Sequence, residues 1–189
     1  MSRPLSQTAR SKMLRSAQEI MSAHGIDACT VEEVARRSGV AKTTIYRHFG
    51  NADDLAMAAV DELIEDIASP DHGSLREDLR SIVLGFRTIV RHDAFRRLFA
   101  SMLTRAVNDP EFAKVYDQAQ ETRHVPLRIA IQRGIARGEV DPSIDVETAM
   151  YFVQGPFVAK RLIEIGDLTD REIEVFLDLI VRALAPPQS

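Results

Sequence analysis

Lys42, Thr43, Thr44, Tyr46, Arg47 and His48 fall within seven consecutive positions, and each carries a group that donates or accepts a hydrogen bond. The two threonines add methyl groups. Donors, acceptors and methyls gathered on one short segment are the chemistry that phosphate contact and groove readout of DNA require. An ordinary helical hairpin with a polar outer face carries the same pattern.

Other chemistry finds less support. The five histidines, His24, His48, His72, His92 and His124, show no i, i+4 spacing for a shared metal. The single cysteine, Cys29, excludes an internal disulfide and any zinc site needing two thiolates. Cys29 reads first as a buried inert thiol; the alternative is a redox sensor, since a helix N-terminus favours the thiolate. No nucleophile–base pair, Gly-rich phosphate loop, metal motif or paired catalytic carboxylates can be read, so no enzyme, cofactor or metal is expected. Phe86, Phe99, Met102, Tyr116, Tyr151 and Phe152 supply apolar and aromatic faces that could line a ligand cavity, with Tyr116, Gln120, Tyr151 and Gln154 as its polar atoms; each face taken singly is more often plain core.

Charge is unevenly spread. Residues 1–50 hold eight Lys/Arg against four Asp/Glu, a net +4, within a chain whose total is −4. A basic segment on an acidic chain suggests a polyanionic partner. No apolar run approaches the roughly 18 residues of a membrane span, and the first residues lack the apolar region of a signal peptide. A cytoplasmic protein is expected.

The elements that must position these residues are helices. Met13, Leu14, Ala17, Ile20 and Met21 form an amphipathic stripe closed by Gly25. Thr30-Val-Glu-Glu33 reads as a capping box opening a second helix. That helix ends near Ser38-Gly39, and a third runs from about Lys42 to Phe49. Two short helices about a glycine turn make a helix-turn-helix, with Val34, Ala35, Val40 and Ile45 setting the angle. A fourth helix carries Leu55, Ala59, Leu63 and Ile67. After the break at residues 69–74, apolar stripes predict helices over 75–90, 95–107, 110–135, 145–165 and 169–184, with Pro126 kinking the third of these. The expected fold is all-α with about nine helices.

Residues 9–67 resemble the DNA-binding domain of the tetracycline-repressor (TetR-type) family. The resemblance rests on T-V-E-E-V-A (30–35), S-G-V-A-K-T-T-I-Y-R-H-F (38–49) and D-D-L (53–55). R-G-I-A-R-G-E-V-D (133–141) and G-P-F-V-A-K-R-L (155–162) look more loosely like one subgroup's ligand domain. The resemblance implies that Thr30 caps the second helix and touches a phosphate. It implies that Lys42, Thr43 and Thr44 reach base edges, with Lys42 the best candidate for guanine O6/N7. Tyr46 and His48 would contact phosphates, and Arg47 could do either. One departure stands out: Gly50-Asn51-Ala52-Asp53 lacks the lysine that family members often carry there, and Arg10 or Lys12 could partly replace it.

These readings predict a helix-turn-helix domain over residues 1–50, a connecting helix over 51–68, and a helical ligand-binding and dimerisation domain over 74–189. The expected function is a homodimeric, ligand-responsive regulator, a repressor of a palindromic operator in double-stranded DNA, with a hydrophobic small molecule as ligand. Dimerisation is expected through the last two helices, by way of Gly155, Val158, Leu162, Phe176 and Ile180.

Overall fold

The computed structural model describes residues 7–64, 69–164 and 166–187, in which all regular structure is helical. Ile67, counted above in an apolar stripe, and Ile165, the last residue of the helix expected over 145–165, lie outside the described residues. Nine α-helices run in order among the described residues: α1 (Gln7–His24), α2 (Val31–Ser38), α3 (Lys42–Phe49), α4 (Ala52–Ile64), α5 (Leu75–Val90), α6 (Asp93–Asn108), α7 (Pro110–Ala136), α8 (Val146–Val158) and α9 (Asp170–Leu184). A 3-10 turn, Ile26–Ala28, follows α1, and a π-helical turn, Ala159–Ile163, extends α8. α7 is continuous through Pro126.

The contacts divide the chain into two compact units: residues 1–65 with 93–120, and residues 66–92 with 121–189. Residues 93–120, expected within the 74–189 stretch, therefore cluster with the N-terminal helices. In the first unit the α1 stripe of Met13, Leu14, Ala17, Ile20 and Met21 is buried together with Val34, Ile45, Leu55 and Val60. Leu98 and Met102 of α6 and Phe112 of α7 complete this core. Burying such side chains contributes about 1.5–3 kcal/mol each, so α6 stabilises the small N-terminal bundle appreciably.

The second unit packs α5, α8, α9 and the later part of α7 about Leu79, Val83, Ile131, Met150, Val153, Phe157, Ile173 and Leu177. Gly134 permits a close approach, since a Cβ there would lie 2.9 Å from a Val140 methyl and 3.1 Å from Leu75 Cδ1. Arg161 is buried and donates to the carbonyls of Val90 at 2.6 Å and Arg91 at 2.8 Å, closing the C-terminal end of α5. α9 opens with a reciprocal capping box between Thr169 and Glu172, a pattern the sequence T-D-R-E also carries.

Candidate nucleic-acid interface

The two helices of the motif are set by one turn. Gly39 adopts φ 71°, a left-handed conformation that costs glycine little, and its N–H bonds the Ala35 carbonyl at 3.0 Å. The Ser38 hydroxyl accepts from Val40 N–H at 3.2 Å. Val34 and Ile45 are fully buried, and Ala35 and Val40 pack against them. With Ile45 locked inward and Phe49, one turn on, packed against the same core, the helical period turns the opposite face of α3 outward. Lys42, Thr43, Tyr46, Arg47 and His48 are exposed, and Thr44 is half-buried. Tyr46 keeps 49% of its surface accessible, a large aromatic left in water on a helix that had core available. Thr30 is also exposed, at the N-terminus of α2.

Two details differ from the sequence reading. Thr30 Oγ1 does accept from Glu33 N–H at 3.2 Å, but Glu33 does not reach back. Its carboxylate pairs instead with Arg36 one turn on, and Thr30 N–H bonds the Ala28 carbonyl at 2.9 Å. The capping box is therefore half formed, because a guanidinium outcompetes a backbone amide for a carboxylate. Lys42, in turn, is not free: its Nζ lies 2.8 Å from Glu32 Oε1. Of the two cations offered in place of the missing lysine, Arg10 faces Glu62 at 3.9 Å and Lys12 is exposed.

The candidate cavity residues are dispersed. Phe99, Met102 and Tyr116 belong to the core of the first unit, and Tyr151 and Phe152 are exposed at 62% and 49%. Phe86 alone among them lines a cavity of about 100 Å³ inside the second unit, together with Leu79, Val83, His124, Val153 and Phe157. Gln154 supplies a polar atom there, as expected, and Val158, expected at a dimer contact, lines the same cavity. Burial pushes the His124 imidazole below its ordinary pKa. Of the other expected dimer residues, Gly155 is exposed, Leu162 and Phe176 are half-buried, and Ile180 is buried at 2% exposure. Phe176 meets Phe157 edge to face at 5.6 Å.

A buried apolar hinge between two short helices, with a polar outer face on the second, defines a helix-turn-helix DNA-binding regulator. Residues 13–59 match the family described as "Bacterial regulatory proteins, tetR family", and residues 69–180 match "Tetracyclin repressor-like, C-terminal domain". The chain belongs to the tetracycline-repressor family of transcription regulators, which are not enzymes. It is 25% identical to the uncharacterised HTH-type transcriptional regulator YdeS of Bacillus subtilis, over 99% of this chain and 93% of that one. It is 22% identical to the HTH-type transcriptional repressor KstR2 of Mycobacterium tuberculosis, over 77% and 76% of the two chains. The crystal structure of the TetR family transcription regulator SCO0332 superposes with a TM-score of 0.77 at 24% identity, covering 95% of this chain and all of that one. No helix among the described residues is long and apolar enough to cross a membrane.

Proposed function

We propose that the chain is a homodimeric repressor that binds a palindromic operator and is released by a hydrophobic small molecule. The observation that carries the DNA-binding reading is the outward face of α3, where Lys42, Thr43, Tyr46, Arg47 and His48 surround the buried Ile45. Lys42 with Thr43 and Thr44 reads base edges in the major groove. Thr30, Tyr46 and His48 contact phosphates and fix the register, and Arg47 serves either purpose. The KstR2 relative is named a repressor, the sign of control proposed for this chain.

For the dimer, the exposed Tyr151, Phe152 and Ile163 of the α8 segment and Val175 and Leu179 of α9 offer large apolar surface. Gly155, exposed among them, allows close helix approach. A two-fold dimer matches a palindromic site.

The inducer site is the cavity of the second unit. Its lining is chiefly apolar, with Gln154, His124 and Arg123 as the polar side chains. At about 100 Å³ it is far below the roughly 300–1,000 Å³ of drug-sized ligand sites. An inducer of that size must spread α5, α7 and α8 to enter. α7 continues from one unit into the other, so its displacement offers a route to the DNA-binding helices.

The test is selection of duplexes from a randomised pool by the purified protein, followed by footprinting. The expected outcome is an inverted repeat with half-sites about 34–36 Å apart, or a multiple of that, protected by a dimer. Enrichment of an asymmetric sequence bound by a monomer would overturn the reading.

A further inference from the structure

The pair between Glu32 and Lys42 joins the two helices of the DNA-binding motif ahead of any DNA. Glu32 sits in the first turn of α2 and Lys42 opens α3, ten positions later, and their Nζ–Oε1 distance is 2.8 Å. Among the described residues of the motif, the other ion pairs leave α3 alone. Arg36 meets Glu33 within α2, and Arg37 meets Glu19 of α1 at 3.2 Å. Glu32 is thus the one carboxylate ion-paired with the outward face of α3 among the described residues, and it engages the residue proposed to read guanine.

We propose that Glu32 is a specificity determinant: it holds Lys42 until a base edge offers a better acceptor, and so penalises binding to random DNA. The inference rests on the reading that Lys42 contacts a base edge.

The physical case is one of competing acceptors. Both side chains are about half exposed, 52% for Lys42 and 58% for Glu32, so the pair forms in water, is weak, and exchanges freely. The Lys42 hydrogen bond holds the Glu32 carboxyl below the ordinary carboxylate range. A phosphate oxygen offers Lys42 about what Glu32 already gives, while phosphate and carboxylate repel each other. Non-specific DNA therefore gains little from Lys42 and is pushed away by Glu32. Guanine presents two acceptors, O6 and N7, on an uncharged edge. Two convergent acceptors on one base edge offset the loss of a weak, exposed pair, whereas a lone phosphate oxygen leaves the neighbouring Glu32 carboxylate repelled. A carboxylate beside the reading lysine thus lowers affinity everywhere except at the correct base, which is specificity gained by repulsion.

The experiment measures affinity for two duplexes over a range of salt concentrations. One duplex is selected from a random pool by the wild-type protein, and the other is its shuffled counterpart of equal composition. Wild type, Glu32→Gln, Lys42→Ala and the double variant are compared, with thermal melting as a check that all fold. Glu32→Gln is expected to tighten the shuffled duplex about fivefold and to steepen its salt slope by about 0.9, one further phosphate neutralised. The selected duplex should change by less than about twofold, so the ratio of affinities falls. In the Lys42→Ala background, Glu32→Gln should leave that ratio unchanged. Equal tightening of both duplexes, or a change in ratio that persists without Lys42, would overturn the proposal. If Lys42→Ala alone leaves the ratio at the wild-type value, base reading by Lys42 fails, and the role of Glu32 with it. If Lys42→Ala lowers the ratio while Glu32→Gln does not, the proposal alone fails and base reading stands.

Discussion

Arg105 of α6 grips Asp53, in the first turn of α4, with both terminal nitrogens: Nη1 lies 2.8 Å from Oδ1 and Nη2 3.0 Å from Oδ2. The same guanidinium lies 4.3 Å above the Phe112 ring and reaches Asp27 at 3.5 Å and Asp109 at 3.6 Å. One side chain on α6 thereby ties the turn after α1, the start of α4 and the start of α7. α4 begins only three residues after the end of α3, so Arg105 positions α3 through its neighbour. Bidentate geometry and partial burial make this pair stronger than an exposed one.

Arg105→Ala should cost about 2 kcal/mol of stability, the scale of charge-assisted hydrogen bonds lost from a partly buried site. Arg105→Lys, which keeps the charge without the fork, should fall between the two. Urea unfolding followed by circular dichroism gives both values. A loss under about 0.5 kcal/mol for Arg105→Ala would place the pair among inert surface contacts.

Cys29 should behave as an unreactive thiol. It is buried at 4% exposure, and burial pushes its pKa up to about 12, with the nearby Asp53 carboxylate adding to the rise and Arg105 opposing it. The thiol stays protonated at every pH the fold experiences, and the thiolate is the reactive form. A chromogenic disulfide reagent at about pH 8 should label Cys29 only after denaturation. Rapid labelling of the native protein would revive the redox-sensor alternative.

The periodic parts of this structure were legible in the sequence, and the pairings between periodic parts were not. Met13, Leu14, Ala17, Ile20 and Met21 announce a buried stripe because each turn of a helix repeats the same face, and all five are in the core. The polar face of α3 is readable for the same reason. Glu32 and Lys42 are ten positions apart on different helices, and only the angle set by Gly39 brings them together. The Phe99, Met102 and Tyr116 faces are apolar as read, but a stripe does not name its partner, and here they join the N-terminal core. The cavity is lined by Phe86 and Gln154, as read, and by Leu79, Val83 and Val153, ordinary core positions with no compositional mark.

The Thr169–Glu172 capping box gives stability a specific pH dependence. Glu172 accepts from the Thr169 N–H and hydroxyl and pairs with Lys160 at 3.2 Å, which together lower its pKa to about 2. A carboxylate with a depressed folded-state pKa stabilises the fold fully above its ordinary value of 4.5 and loses that contribution as pH falls toward 2. The melting temperature of Glu172→Gln should therefore lie below wild type at neutral pH, and the gap should close over that acid window. A gap independent of pH would assign the effect to packing rather than charge.

Dimerisation should respond differently to two neighbouring residues of α9. Leu179 is 52% exposed and Val175 49%, whereas Phe176 is half-buried against Phe157. Leu179→Asp should yield a folded monomer in sedimentation at micromolar concentration, since the new charge meets only the expected partner surface. Phe176→Asp should also lower the melting temperature, because it places a carboxylate in the subunit's own core. A Leu179→Asp protein that remains dimeric would move the interface elsewhere.

The cavity predicts how induction fails. Val153→Phe points a ring into the space bounded by Leu79, Phe86 and Phe157, far from the outward face of α3 in sequence and in the other compact unit. Overpacking should cost about 1–3 kcal/mol of stability and leave DNA affinity within about twofold. It should abolish release by any small apolar molecule that weakens wild-type binding. For wild type, linkage requires that DNA weaken the ligand by the same factor as the ligand weakens DNA, on the order of 5–150-fold for a coupling of about 1–3 kcal/mol. Titrating the ligand with and without the selected duplex measures that factor. Ligand release that survives Val153→Phe would locate the inducer outside this cavity, and unequal factors in the two directions would show that the ligand competes through some process other than binding to this protein.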